Sequence, residues 1–329
     1  MRHRSFLFRI LVPFTAAACL TLCSCGDPSG LDPSPGPSGS SENVSSSESE
    51  HLDASTSDKV GSRSNTPIVR VGSADGTSTL GNESVTIDIS HTDEGYLMAN
   101  YTGSNPKVKF QITGPDQVTY TYNLHGGYET FPLTAGNGSY TLGVFEFIEG
   151  TTYSTLFTQN IEVSVANQFG PYLYANQYVN FTSGSTVVEK GSQLARPADS
   201  DLEVIENVYN YIITNFTYDY DKASTVESGY LPVVDDVYSQ QTGICFDYSA
   251  VMATMLRTQN IPTRLEVGYK GDVYHAWLST YISGEGWING IIQYNGNEWN
   301  LMDPTFASTS GAPIDFITEN DAYLTKYVY

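Results

Sequence analysis

Usable cysteine is what this chain of 329 residues has least of. Cys19, Cys23 and Cys25 crowd into the leader, and only Cys245 stands where the composition suits a folded core. A single thiol makes no intramolecular disulfide, so no disulfide framework is expected. In an exported protein such a leftover thiol is either inert and buried or reactive and used. Basic residues are also scarce: 15 Lys and Arg against 36 Asp and Glu give a net charge of −21. That surface repels phosphate backbones and argues against nucleic-acid binding. No Cys/His cluster has zinc spacing, and no glycine loop suits a phosphate. Asp219, Asp221, Asp235 and Asp236 lack the ordered spacing of a calcium loop and read as solvated acids. No metal or cofactor is expected. No apolar run is long enough to span a bilayer comfortably; Ile10 to Leu22 is short and interrupted by Pro13.

What is present begins with an export signal over residues 1–24. Arg2, Arg4 and Arg9 form its basic start and the Ile10 to Leu22 run its apolar centre. Leu22-Cys23-Ser24-Cys25 then resembles a bacterial lipobox. The resemblance implies cleavage before Cys25, lipidation of its sulfur, and an anchor on the extracellular face of a bacterial cell membrane. Residues 25–66 are rich in Ser, Pro, Gly, Asp and Glu and nearly devoid of large apolar side chains. Such a composition does not offset the entropy of ordering and reads as a disordered tether.

From 67 to 167 the pattern is all-β. Val85 to Ile89, Val108 to Ile112 and Ile161 to Val165 alternate apolar with polar. Thr119 to Tyr122, Tyr140 to Phe147 and Thr152 to Phe157 are strand-like too, with Gly114-Pro115-Asp116 and Ala135-Gly136-Asn137-Gly138 as turns. Short strands at this spacing suggest a β-sandwich. Gly136 to Leu142 resembles the late strands of bacterial immunoglobulin-like modules. No catalytic constellation falls here, so the region reads as a spacer or binding module.

Beyond Gly170-Pro171 the pattern becomes mixed, and residues 168–329 read as an α+β domain. Ser200-Asp201-Leu202-Glu203 has capping-box spacing. Leu202, Ile205, Val208, Tyr209, Ile212, Ile213 and Phe216 follow at helical intervals. A second helix starts at or just before Cys245, carries a stripe of Ile244, Tyr248, Val251, Met252, Met255 and Leu256, and ends at Asn260-Ile261-Pro262. Strands follow at Arg264 to Tyr269 and at Val273 to Ile282, the latter with His275, Trp277, Ser279 and Tyr281 on one face. A loop with Gly284, Gly286, Gly290 and Gly296 leads to a third strand at Trp299 to Asp303.

This order supports thiol chemistry. In the first turn of a helix, free peptide N–H groups and the positive end of the dipole favour thiolate at Cys245. His275 on a neighbouring strand suits a general base, and Asp303 on the next suits its orienter. The Cys245 peptide N–H points to an oxyanion role. Gly243-Ile244-Cys245-Phe246-Asp247-Tyr248-Ser249-Ala250, the later Ile261-Pro262-Thr263-Arg264, His275-Ala276-Trp277 and Asp303-Pro304-Thr305 together resemble the transglutaminase-like superfamily. The aromatic–acid step Tyr218-Asp219-Tyr220 adds to the likeness. It covers about residues 172–329 and implies a papain-like architecture in which a nucleophile helix packs on an antiparallel sheet, with Cys245, His275 and Asp303 as a triad. By analogy with papain-type enzymes, Gln241 is a candidate side-chain oxyanion donor, and Trp277 and Tyr218 are candidate cleft walls. The expected activity is acyl transfer from amides of protein or peptide substrates, cell-wall or extracellular. Two alternatives stand: a cysteine protease or amidase, and a non-catalytic binding protein that uses the fold as scaffold.

Overall fold

Alternating strands build the first half of the molecule. A computed structural model describes residues 59–289, 291–294, 299–302 and 323–329. The leader, Cys25 and the tether as far as residue 58 lie outside the described residues, as does Asp303. Strands β1 (Thr79–Gly81), β2 (Val85–Asp88), β3 (Tyr96–Tyr101), β4 (Val108–Thr113), β5 (Thr119–Leu124), β6 (Glu129–Pro132), β7 (Gly138–Glu149) and β8 (Thr152–Val163) form two antiparallel sheets. Their orders are β1-β2-β3-β6 and β5-β4-β7-β8. The period-2 pattern sends Val108, Phe110 and Ile112 inward from β4. Phe110 meets Phe131 of β6 edge-on at 4.9 Å, and Tyr122 of β5 meets the same ring at 4.8 Å. The two sheets thus share one aromatic core.

Residues 59–66 depart from the tether reading. They run bound along the helices of the second half. The Gly61 N–H donates to the Arg196 carbonyl at 2.8 Å, and Arg63 reaches Asp201 at 2.5 Å and the Gln259 carbonyl at 2.5 Å. The Asn65 amide donates to the Ser192 carbonyl, whose own hydroxyl returns a bond to the Asn65 carbonyl. Composition misses this because attachment comes from a few polar side chains matched to helix ends, with little apolar burial.

The second half runs α1 (Thr186–Ala195), α2 (Asp201–Asn215), β9 (Thr217–Tyr218), α3 (Tyr220–Thr225), α4 (Val234–Gln240), β10 (Thr242–Gly243), α5 (Cys245–Thr258), β11 (Thr263–Lys270), β12 (Val273–Ile282), β13 (Gly286–Asn289), β14 (Ile291–Tyr294), β15 (Trp299–Met302) and β16 (Tyr323–Val328). Ser200 caps α2 by accepting from the Glu203 N–H at 3.2 Å, while the Glu203 carboxylate accepts from Asp199 rather than from Ser200 itself. A cap of this kind contributes about 1 kcal/mol.

Helix α5 is more deeply placed than a single stripe implies: every residue from Asp247 to Thr258 is buried. Helices α1, α2 and α4 cover one side of it, and β11 and β12 the other. The main sheet is antiparallel with order β13-β12-β11-β16. The glycine-rich stretch after β12 is therefore not simply a loop, since β13 pairs along β12 with Trp287 opposite Tyr281. Among the described residues, β15 pairs with β14 and stands apart from the main sheet. Sequence reasoning did not anticipate β16, which closes the other edge against β11.

Candidate active site

The thiol of Cys245 is carried by the first residue of α5. It is free and half-buried. The helix starts there because Ile244 is extended and Asp247, at the third helical position, accepts from the Ile244 N–H at 2.9 Å. This is half of a capping box; a hydrocarbon side chain at Ile244 offers no acceptor in return. The approach is close-fitting. A Cβ on Gly243 would stand 2.6 Å from the Asp247 Cβ, so only glycine fits at that position. Immediately upstream, β10 runs parallel to β9, pairing Gly243 with Tyr218 and Thr242 with Thr217.

Asp247 is fully buried beside the nucleophile position and bears three bonds. Besides the Ile244 N–H, it receives the Lys222 ammonium at 2.6 Å on one oxygen and the Tyr230 hydroxyl at 2.5 Å on the other. The Lys222 ammonium also lies 4.3 Å from the Tyr230 ring centroid. Burial, followed by the bond to Asp247, pushes the Tyr230 hydroxyl well above its ordinary range. Both partners come from residues 219–233, the segment containing α3 and its exit. Asp219 caps α3 by accepting from the Lys222 N–H at 2.8 Å. Asp235 accepts from the Thr186 hydroxyl and the Val187 N–H at the start of α1. These two acids thus serve as helix caps and not as free solvated charges.

Strand β12 begins close to the thiol. Tyr274, its second residue, meets the Tyr269 ring of β11 edge-on at 5.4 Å. Burial, then the hydroxyls of Tyr327, Tyr269 and Tyr178 and the thiol itself, pushes Tyr274 up to about 12. The residue as a whole nonetheless remains 58% exposed. Tyr274 therefore stays a neutral hydroxyl at physiological pH. His275 follows it on the strand and is buried. As the pattern predicts, His275 shares a face with Trp277 and Ser279, while Ala276 and Leu278 enter the hydrophobic core with α5. The His275 and Trp277 rings stack at 6.2 Å, and Tyr323 of β16 meets Trp277 at 4.8 Å.

The structure thus brings the start of α5, the end of β9 and Tyr274 of β12 into one neighbourhood, whereas His275 lies with Trp277 and Tyr323 on the face of β12 opposite Tyr274, Ala276 and Leu278. Tyr218 belongs to it, with its ring edge-on to Tyr220 at 5.0 Å and to Tyr248 of α5 at 6.3 Å. Trp277 does not offer the open wall expected of it: only 4% of it is exposed, and it packs under Tyr323. Gln241 is also engaged elsewhere. It closes α4 in a left-handed conformation (φ 51°), and its side-chain amide donates to the Tyr211 hydroxyl of α2 at 3.3 Å. The side chains that sequence reasoning missed are Lys222, Tyr230 and Tyr274. A signal existed for one of them: Lys222 is the basic residue in the otherwise acidic stretch 219–236.

Residues 189–290 match the model of the Transglutaminase-like superfamily. That stretch includes Cys245 and His275 and stops short of Asp303. Over 148 residues the chain is 22% identical to the uncharacterized protein YebA of Bacillus subtilis (strain 168), a match covering 39% of this chain and 20% of that protein. The chain thus spans about a fifth of that relative's length. Among solved structures, a candidate cysteine protease of Cytophaga hutchinsonii aligns over 69% of this chain and 68% of its own, at 15% identity and TM-score 0.34. Red sea bream transglutaminase aligns over 65% of this chain and 48% of its own, at 15% identity and TM-score 0.26.

Proposed function

From the premise that this chain carries a domain of the transglutaminase-like superfamily, we propose that it is a cysteine acyltransferase acting on amides of proteins or peptides. The observation that carries this reading is the free thiol of Cys245 at the first position of a buried helix, within the stretch that matches the family model. The unpaired N–H groups of that first turn favour thiolate and are suited to receive an oxyanion. The Cys245 thiolate attacks the amide carbonyl, forming a C–S bond and a tetrahedral oxyanion. Its collapse breaks the C–N bond, with the proton held on His275 passing to the leaving amine. The resulting thioester is resolved by an amine, which gives transfer, or by water, which gives deamidation or cleavage. Asp303, in its Asp-Pro-Thr motif, orients the imidazole in this scheme. With the Gln241 amide on Tyr211, the Cys245 peptide N–H is the preferred oxyanion donor.

The same reading has the chain anchored by lipid at Cys25 on the outer face of a bacterial membrane. The β1–β8 sandwich then serves as an immunoglobulin-like spacer or binding module. One feature in support is the Tyr140 hydroxyl, which donates to the Gly136 carbonyl four residues upstream in the manner of a tyrosine corner. The test is to incubate the soluble region with glutamine-containing peptides, with and without a primary amine, and follow peptide masses. Uptake of the amine with loss of ammonia supports transfer. Addition of water with chain scission would support the protease reading. No product that differs from that of Cys245→Ala would leave the non-catalytic scaffold.

A further inference from the structure

Asp247 poses an electrostatic problem for any chemistry at Cys245. It is a fully buried carboxylate two residues from the thiol, on the same helical turn. A nearby negative charge disfavours thiolate, opposing the field of the helix N-terminus. Left alone, such a carboxylate would either hold Cys245 protonated or take up a proton itself. The structure supplies the remedy in Lys222 and Tyr230, which occupy the two carboxylate oxygens. The lysine side chain is 27% exposed while its partner is wholly enclosed. The segment that delivers them also runs close to the sandwich: a Cβ on Gly229, a residue at φ 92°, would come within 2.6 Å of the Asn123 amide of β5.

We propose that Lys222, assisted by Tyr230, is a positioning residue for the nucleophile: it neutralises and fixes Asp247, so that the N-terminus of α5 keeps a net positive field on Cys245. This rests on the reading of Cys245 as the nucleophile and adds the group that makes an acid at the third helical position compatible with it. The titratable groups around the thiol come from every side. Asp247 is on its own helix, Asp219, Lys222 and Tyr230 are on the α3 segment, Tyr274 is on β12 with His275 on that strand's other face, and Tyr178 lies against Phe246 at 5.4 Å. Lys222 is the cation of this set at neutral pH with a direct bond to Asp247.

The experiment is the rate of Cys245 alkylation by iodoacetamide against pH, read by mass spectrometry, with thermal melting recorded for each variant. Lys222→Met uncovers the Asp247 charge and should raise the thiol titration by about one unit, slowing alkylation about tenfold at pH values well below the wild-type midpoint and little above it. Asp247→Asn removes the charge while leaving Lys222, and should move the titration the other way. Combining the two should bring the profile back toward wild type, and Lys222→Arg should stay within about threefold of it. A merely structural role for the cluster would shift Lys222→Met and Asp247→Asn in the same direction, in step with their melting temperatures, and the double variant would be the worst of all. That outcome, or an unchanged profile in Lys222→Met, overturns the proposal. A wild-type thiol that titrates near its ordinary value would count against the enzyme reading instead. The opposite shifts of the two single variants stay readable in that case.

Discussion

Arg257 shows how a single side chain can hold distant segments together. It is wholly buried with its donors on the carbonyls of Thr263 (3.0 Å), Tyr174 (2.8 Å) and Tyr329 (2.7 Å), and burial pulls its guanidinium down to about 9. Those acceptors belong to the start of β11, the segment before α1 and the residue after β16. Arg257→Ala would strand them away from water, at a cost of at least about 3 kcal/mol. Arg257→Lys should recover little, because one ammonium does not span three fixed carbonyls. Urea unfolding of both variants checks this; a loss below about 1 kcal/mol for the alanine variant would contradict it. At this scale the nucleophile candidate was legible, because a lone cysteine before a helical pattern is a local signal. The cluster around it was not. Lys222 and Tyr230 stand 25 and 17 residues before Asp247, with α4 and β10 between, so no single period links them. Trp277 was misjudged for a related reason, since the strand that buries it, β16, carries no strong alternation of its own.

Elements are where sequence and structure agree best. The alternation in β2, β4 and β12 and the start of α5 at Cys245 follow from side-chain period alone. All-round burial of α5 does not, because it depends on α1, α2 and α4 converging on a helix that also covers a sheet. The convergence needs a small residue. A Cβ on Gly191 of α1 would lie 3.0 Å from the Met255 Cα of α5. Gly191→Val should therefore cost about 1–3 kcal/mol by forcing the helices apart, seen as a shifted urea midpoint. The bound segment 59–70 makes a second prediction. Asp199 accepts from Lys59 and Ser62, and those bonds hold its carboxyl down at about 2. A depressed carboxyl adds stability above its unfolded value of about 3.9, and that contribution is lost as the pH falls toward the folded value. Amide protection at Gly61 and Ser62 should accordingly weaken between about pH 4 and 2, and Asp199→Asn should weaken it at neutral pH. Equal protection of these amides in both proteins at pH 7 would exclude that attachment.

Across the whole molecule the sandwich and the helical half meet through tyrosine. Tyr120 of β5 lies edge-on to Tyr327 at 5.5 Å and to Tyr329 at 5.6 Å, and its hydroxyl accepts from the Val328 N–H. The Gln177 amide ties the Asn123 carbonyl and the Glu129 carboxylate to the same seam. A join this aromatic should make both halves unfold as one unit. Calorimetry should show a single transition, and Tyr120→Ala should lower it for both halves by about 3–5 kcal/mol; two resolved transitions in the native chain would contradict that. The sequence patterns read as a sandwich and an α+β domain after a tether and say nothing of how the two meet, since nothing in a tyrosine count says where the rings converge. The central claim, however, concerns the thiol. Its most direct test is alkylation of Cys245 against pH in the native protein, beside His275→Ala and Asp303→Asn. A thiolate present well below the ordinary thiol value of about 8.5, and lost in His275→Ala, is the result expected here. A thiol that reacts only above about pH 8, or only after unfolding, would contradict it and leave a binding scaffold.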